Sequence, residues 1–157
     1  MSVQQIYDNA PLGALICYSD GKPRPPQRFR RKLAEWERNN AAGRLIRKEP
    51  ARQIGNFPMP ASITLRKGDV GGGGVILMVI HQIFSIDTRL RFDVIETPPI
   101  GSVRIQQTVG GEVELLHLAA DRAAAEAWLK VHPYSGAVLE EVTADEVAAD
   151  FIEGRAA

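Results

Sequence analysis

The chain has 157 residues, of which 45 % are hydrophobic and 24 % are charged, and its formal net charge is zero. This length and composition are ordinary for one globular domain, so we expect residues 1–157 to form a single domain. One cysteine, Cys17, excludes a disulfide within the chain. The longest apolar run, Val75 to Ile80, is too short for a membrane-spanning helix, which needs about twenty residues, so we expect no membrane partner.

The neutral total conceals an uneven distribution of charge along the chain. Residues 1–67, the basic segment, carry 13 Lys and Arg against 5 Asp and Glu, a net charge of +8. Residues 68–157, the acidic segment, carry 6 against 14, a net charge of −8. Such asymmetry indicates either contact with nucleic acid or a protein interaction surface. The alternative is that the two segments neutralise each other across the fold.

The cysteine and the N-terminus both bear on the cellular compartment. Cys17 lies in the apolar run LGALICY, so we expect a buried and unreactive thiol. No basic residue precedes this run, which makes the N-terminus a poor signal peptide. These features predict a cytoplasmic protein.

The first predicted elements are a strand and a basic helix. Leu12 to Tyr18 reads as a strand, and the turn sequence SDGK follows it. A helix is predicted from about Pro26 to Asn40, because Phe29, Leu33 and Trp36 recur at the spacing of one helix face. We expect this apolar face to point inward.

The outward face of the helix carries the residues of our main candidate site. Arg31 and Arg38 lie opposite the apolar face, and Glu35 is spaced to pair with both. Gly43 is predicted to end the helix. Other cations near the helix start lack a local acidic partner and oppose the helix dipole, which invites a functional explanation. A solvated helix face is the simpler interpretation of these cations, and an anion-binding surface is the alternative. The candidate nucleic-acid-binding residues are Arg24, Arg28, Arg30, Arg31, Lys32 and Arg38.

The middle of the chain predicts strands joined by loops. We expect a short strand near Leu45 and another from Ser62 to Lys67, and the basic stretch between them either extends the cationic surface or is a connector. Gly68 to Gly74 precede the apolar run VILMVIHQIF, without the Lys and Ser or Thr of a phosphate-binding loop. We predict a flexible hairpin loop, or alternatively a loop that closes on a ligand, followed by a central strand buried on both faces.

The next predicted elements are three strands. Arg89 to Glu96 alternates apolar and charged residues, as a half-buried strand does. The sequence VGGE predicts a two-residue hairpin turn that joins strands 102–109 and 112–118. In that register Arg104 lies opposite His117, as an exposed cross-strand pair or, alternatively, as an anion site.

The chain is predicted to close with a helix, a strand and a helix. Asp121 can cap the first helix, and a strand follows from Ala137 to Val142. Thr143 and Glu146 have the spacing of a capping box, which opens the second helix. The inward residues of the two helices are predicted to be Ala125, Trp128, Leu129, Val147 and Phe151, with Gly154 ending the second.

No motif in the sequence fixes a reaction. His81 and Asp87 can form an acid–base couple if they meet in the fold, although His81 more simply marks where a strand reaches solvent. The sequence contains no C-x-x-C, H-E-x-x-H or G-x-S-x-G motif, so we expect neither a metal site nor a cofactor.

Together these patterns predict an α+β domain with a mainly antiparallel sheet of six or seven strands and three helices, one near the N-terminus and two near the C-terminus. The leading hypothesis is a non-enzymatic nucleic-acid-associated or regulatory protein that contacts phosphates through the basic helix. A second is a protein-binding adaptor or inhibitor whose acidic segment meets a basic partner or a second copy of the chain. A third is a small enzyme with a pocket near His81.

Overall fold

The computed structural model describes residues 1–72 and 75–148, without the side chains of residues 69–79. It confirms an α+β fold with a mainly antiparallel sheet, and the main sheet has eight strands, slightly more than predicted. The helices are α1 (Val3–Asn9), α2 (Arg30–Asn39) and α3 (Arg122–Val131), and residues 144–148 are also helical. The strands are β1 (Leu15–Ser19), β2 (Ala41–Glu49), β3 (Arg52–Ile54), β4 (Phe57–Met59), β5 (Ser62–Gly72), β6 (Val75–Ser85), β7 (Arg91–Glu96), β8 (Val103–Val109), β9 (Glu112–Ala119) and β10 (Val138–Glu141).

Strand β2 organises the main sheet, because it pairs with three other strands. One edge of β2 pairs with β5, which in turn pairs with β6. The other edge pairs with β1 over residues 41–44 and with β9 at Arg47. Strand β1 continues to β7, and β9 continues to β8 and β10. The sheet is therefore branched, and its two branches share β2. Strands β3 and β4 form a separate exposed hairpin that the sequence analysis did not identify.

The first core lies between α1 and the β7, β1, β2, β5 branch. Helix α1 was not predicted, although the sequence carries its signal: the Ser2 hydroxyl accepts a hydrogen bond from the Gln5 N–H, and the Ser2 N–H donates to the Gln5 side chain. Val3 and Ile6 on α1 are buried. The remaining buried residues of this core are Ala10, Ala14, Ile16, Tyr18, Leu45, Ile63, Leu65, Phe84 and Phe92.

The second core lies between α3 and the β8, β9, β10 branch. The Asp121 carboxylate caps α3 by accepting a hydrogen bond from the Ala124 N–H at 2.7 Å, as predicted. Ala125 is fully buried, and Trp128 and Leu129 are partly buried against the same cluster, so the predicted inward face of α3 is confirmed. The strand residues of this core are Val103, Ile105, Leu116 and Ala119.

The prediction that the VILMVIHQIF run forms a central strand is wrong. Among the described strands β6 pairs with β5 alone, so it lies at the edge of the sheet. Phe84 is 5 % exposed whereas the neighbouring Ile83 is 68 % exposed. A strand that is apolar on both faces therefore does not need a paired strand on both of its edges. The predicted hairpin is confirmed as far as Gly72 paired with Val75, and Gly73 and Gly74 of the predicted loop lie outside the described residues.

The β8–β9 hairpin turns at Gly110 and Gly111, as predicted, but its register shifts further along. A bulge between Ile105 and Gln106 places Arg104 opposite Leu118, so the predicted pairing of Arg104 with His117 is wrong. A bulge adds one residue to one strand, and neither turn length nor alternation reveals it. Arg104 is also buried, at 3 % exposure, rather than exposed.

Three further predictions meet mixed outcomes. Cys17 is a free cysteine but is half-buried, because it lies on the sheet face opposite the first core. The Thr143 hydroxyl accepts a hydrogen bond from the Glu146 N–H at 3.3 Å, so the predicted cap is present. Phe151 and Gly154, the predicted inward residue and end of the last helix, lie outside the described residues.

Candidate functional site

Residues 20–40, which we call the basic excursion, leave the sheet between β1 and β2. Tyr18 and Ala41 are directly paired across these strands, so the chain departs and returns at one place. Helix α2 within the excursion has no buried residue. The prediction that its apolar face enters the core is therefore wrong: Phe29 is 43 % exposed, and Leu33 and Trp36 are half-buried.

The side chain of Asn40 closes the basic excursion. Its Oδ1 accepts hydrogen bonds from Ser19 Oγ at 2.6 Å and from the Asp20 N–H at 3.3 Å. Its Nδ2 donates to Asp20 Oδ1 at 3.0 Å and to the Trp36 carbonyl at 2.8 Å. The hydrogen bonds from Asn40 and from the Lys22 N–H lower the pKa of Asp20. The end of α2 is thereby tied to the end of β1, although Gly43 was predicted to end the helix.

Gly43 instead lies within β2, facing the first core. A Cβ atom at this position would lie 2.9 Å from Leu65 Cβ and 3.0 Å from the Arg66 carbonyl oxygen. The residue is thus small because β5 passes close by, and not because a helix ends there.

Aromatic rings of the excursion hold several of its cations. The Arg24 guanidinium carbon lies 5.9 Å from the centroid of the Trp36 ring. Arg28 Cζ and Lys32 Nζ lie 4.9 Å and 5.3 Å from the centroid of the Phe29 ring. Such cation–π contacts orient long side chains while their charged groups stay in contact with water. Phe29 and Trp36 therefore contact cations of the basic excursion itself.

All the predicted site residues lie together on the basic excursion, and all are exposed. Among the described residues none of them has a carboxylate within 4 Å, and the predicted pairs of Glu35 with Arg31 and Arg38 do not form. The first turn of α2 contains no acidic residue. Two of the cations precede α2, three lie in its first turn and one in its last: Arg24, Arg28, Arg30, Arg31, Lys32 and Arg38.

Two residues of the acidic segment, Glu140 and Glu146, form ion pairs within the domain. The buried Arg104 guanidinium binds both oxygens of Glu146, and its Nη1 lies 3.3 Å from Glu140 Oε1. Its Nε donates to the Leu12 carbonyl at 2.8 Å. A buried guanidinium with charged and backbone partners is a structural cross-link.

His81 and Asp87 are not assembled into a couple. Both are exposed, His81 on β6 and Asp87 in the turn that follows. The structure describes both residues and shows no hydrogen bond or ion pair between them. Catalysis by this pair would require contact that the geometry does not provide.

The basic stretch from Arg44 to Lys67 contributes a second cationic feature. Arg44, Arg66 and Lys67 are among the residues that line a cleft of about 410 Å³ between β2, β5 and β9. The alternation of Arg44 and Leu45, and of Leu65 and Arg66, is the sequence signal for such a placement. From sequence alone the stretch was predicted to be either a continuation of the basic surface or a connector.

Both cores, the basic excursion and the cleft lie within residues 1–146, and these residues match one protein family. The chain belongs to the family "Uncharacterised conserved protein UCP036055". The UCP036055 match ends at residue 146, within the helical residues 144–148. No curated protein and no solved structure matches the chain. Within the described residues, no helix has the length and apolar character that crossing a membrane requires.

Proposed function

We propose that the protein is a non-enzymatic, cytoplasmic nucleic-acid-binding protein whose basic excursion contacts the phosphate backbone. One observation carries the proposal: six exposed cations share one segment, and none has a carboxylate within 4 Å among the described residues. Cations that are neither buried nor paired within the protein are available to phosphates, and their contacts release counterions from the nucleic acid.

The dimensions of α2 suit several simultaneous phosphate contacts. A helix of ten residues is about 15 Å long, and duplex DNA carries one charge for about every 1.7 Å of its axis. Five of the six cations are arginines, whose planar guanidinium groups bind phosphate oxygens with two parallel hydrogen bonds. We therefore expect a helix that lies along the backbone and makes several charge contacts at once.

The aromatic residues argue for binding that does not depend on base sequence. Trp36 is half-buried, its ring faces Arg24, and its Nε1 donates to the Lys22 carbonyl at 2.8 Å. These contacts occupy the ring that would otherwise stack on a base. Phosphate contacts position a protein on nucleic acid but do not read its sequence.

The test measures fluorescence anisotropy with labelled duplex DNA, single-stranded DNA and RNA, each at two salt concentrations. We expect affinity for duplex DNA to fall with salt at a log–log slope of about −0.9 for each phosphate contacted. The combined change Arg28→Glu, Arg30→Glu and Arg31→Glu should abolish binding. The variant should still fold, because acidic residues in the first turn of a helix favour its dipole.

A matched control reverses three exposed cations on the β3–β4 hairpin and α3, Arg52→Glu, Arg122→Glu and Lys130→Glu, which alters net charge by the same amount. It should retain affinity within about threefold, since distant exposed charges are screened. Equal loss in both variants would show that net charge alone drives binding. If the wild type binds no nucleic acid at low salt, the proposal fails, and pulldown with the acidic segment becomes the informative experiment.

A further inference from the structure

The cleft between the two branches of the sheet brings two arginines to one face. Leu45 and Leu65 are buried in the first core, so alternation places their neighbours Arg44 and Arg66 on the opposite face. Arg44 and Arg66 are also directly paired between β2 and β5. Directly paired residues share a face of the sheet, and both arginines line the cleft.

Backbone carbonyls hold both guanidinium groups in place. Arg44 Nη1 donates to the Gly13 carbonyl at 2.6 Å, and Arg66 Nη1 donates to the Leu116 carbonyl at 2.8 Å. Both arginines are half-buried. A guanidinium group has five N–H donors, and the bond from Arg44 to Gly13 uses one of them. A fixed and partly desolvated guanidinium binds an anion more strongly than a mobile surface one, because less entropy is lost on binding.

The rest of the cleft is largely apolar. Lys67 and His117 also line it, but Lys67 Nζ lies 5.5 Å from the centroid of the Tyr18 ring and the His117 ring stacks on Trp128. Among the described side chains, the cationic groups of the cleft are therefore those of Arg44 and Arg66. Leu15, Ile46 and Leu115 supply apolar surface. The volume of about 410 Å³ falls within the range of small-molecule sites, and such sites combine an apolar wall with a few fixed polar groups.

We propose that this cleft binds a small organic molecule through a phosphate monoester group held by Arg44 and Arg66. A phosphate monoester carries up to two negative charges and three terminal oxygens, which match two guanidinium groups better than a single carboxylate does. The organic part contacts the apolar wall. The proposal does not rest on nucleic-acid binding, because no residue of the basic excursion lines the cleft.

The test is a titration of the full chain with phenyl phosphate, inorganic phosphate and benzoate, followed by calorimetry and by backbone amide shifts. We expect phenyl phosphate to bind more tightly than either partial analogue, with shifts at Arg44, Arg66 and Leu116. Arg44→Gln should weaken phenyl phosphate binding about tenfold or more, the usual effect of losing a charge-assisted hydrogen bond. Arg44→Lys, which keeps the charge but loses the planar fork, should restore part of the affinity.

Two further variants keep the result decisive. Ala42→Leu fills the cleft without removing a charge, so it should also block binding even if Arg44→Gln does not fold. Arg89→Gln alters an exposed cation away from the cleft lining and should leave binding unchanged. Benzoate binding as tight as that of phenyl phosphate, unchanged affinity in a folded Arg44→Gln protein, or shifts confined to the basic excursion would each overturn the proposal.

Discussion

At the scale of single residues, Gly43 shows that the role of a residue depends on its contacts in the fold. Glycine is common in turns and at helix ends, and Gly43 was predicted to end a helix for that reason. The actual constraint on Gly43 is the approach of β5, because a Cβ atom at this position would lie 2.9 Å from Leu65 Cβ, closer than van der Waals contact. A residue type alone cannot distinguish these two origins, because the constraint comes from a strand more than twenty positions later in the chain.

Replacement of Gly43 by alanine should destabilise the protein by about 1–3 kcal/mol, since the added Cβ would overlap Leu65 Cβ and the Arg66 carbonyl oxygen. Urea denaturation measures this free energy of unfolding. Gly68→Ala is the matched control, because no atom of the described part of the chain lies within 4 Å of the Cβ it would add. The control should be neutral or stabilise the strand by up to about 1 kcal/mol. Equal effects of the two substitutions would contradict the close approach.

Asn40→Ala should raise the pKa of Asp20 toward its ordinary value of 3.8, because the Asn40 amide is the main cause of the lowered value. A group with a lowered folded pKa contributes stability above its unfolded pKa and loses that contribution as pH falls through its folded pKa. The wild type should therefore lose more stability than the variant on acidification below pH 3.8. NMR titration of the Asp20 carboxyl carbon measures the shift, and an unchanged titration in the variant would refute the assignment.

At the scale of secondary structure, the confirmed elements have local signals, whereas features set by distant partners have none. Helix α1 is the exception, because it was missed although Ser2 and Gln5 form a capping box. The Asp121 cap of α3 and the two-glycine turn between β8 and β9 depend on neighbours within a few residues, and both are confirmed. The edge position of β6 and the bulge beside Ile105 depend on which strands pair, and the predictions for both failed. The amphipathic pattern of α2 was read correctly, but its apolar face is half-covered by the excursion and not by the sheet.

The alternation of buried and exposed side chains along the edge strand β6 predicts different effects of substitutions at neighbouring positions. Phe84→Ala should cost about 3–5 kcal/mol, because Phe84 is 5 % exposed and its ring lies 4.7 Å and 5.2 Å from the ring centroids of Tyr18 and Phe92. Ile83→Thr should change stability by less than about 0.5 kcal/mol, because Ile83 is exposed and threonine keeps a β-branched side chain. Thermal and urea unfolding of the two variants test this contrast. A large cost at Ile83 would mean that another surface covers β6 in solution.

At the scale of the whole molecule, the two branches of the sheet are joined by more than strand β2. Arg66 Nη1 reaches the Leu116 carbonyl of the second branch, and Arg104 Nε reaches the Leu12 carbonyl of the first. Among the described residues, each side-chain ion pair joins two residues of the same charged segment: Arg47 and Arg52 with Glu49, Arg104 with Glu140 and Glu146, and Arg122 with Glu126. The net charge of each segment follows from the sequence. The sequence does not show which acidic residues form ion pairs within the fold.

These links predict that the chain unfolds in one cooperative transition. The two tryptophans report on different parts of it, since Trp36 lies on the basic excursion and Trp128 packs against the second core. In a Trp36→Phe variant, the fluorescence of Trp128 and the far-ultraviolet circular dichroism of the whole sheet should share one midpoint in urea. Separate midpoints would show that the two branches are independent units and would contradict a single domain over residues 1–157.

The pairing of Tyr18 with Ala41 has a consequence for the origin and engineering of this fold. Ser19 and Asn40 are the next residue on each side, and their side chains are hydrogen-bonded at 2.6 Å. An Asn-Gly dipeptide in place of residues 20–39 would therefore join β1 to β2 as an ordinary hairpin. The basic excursion is therefore equivalent to an insertion between two adjacent strands, a position where insertions are commonly tolerated. The same junction offers a place where other recognition segments can be grafted, with the scaffold and its cleft left intact.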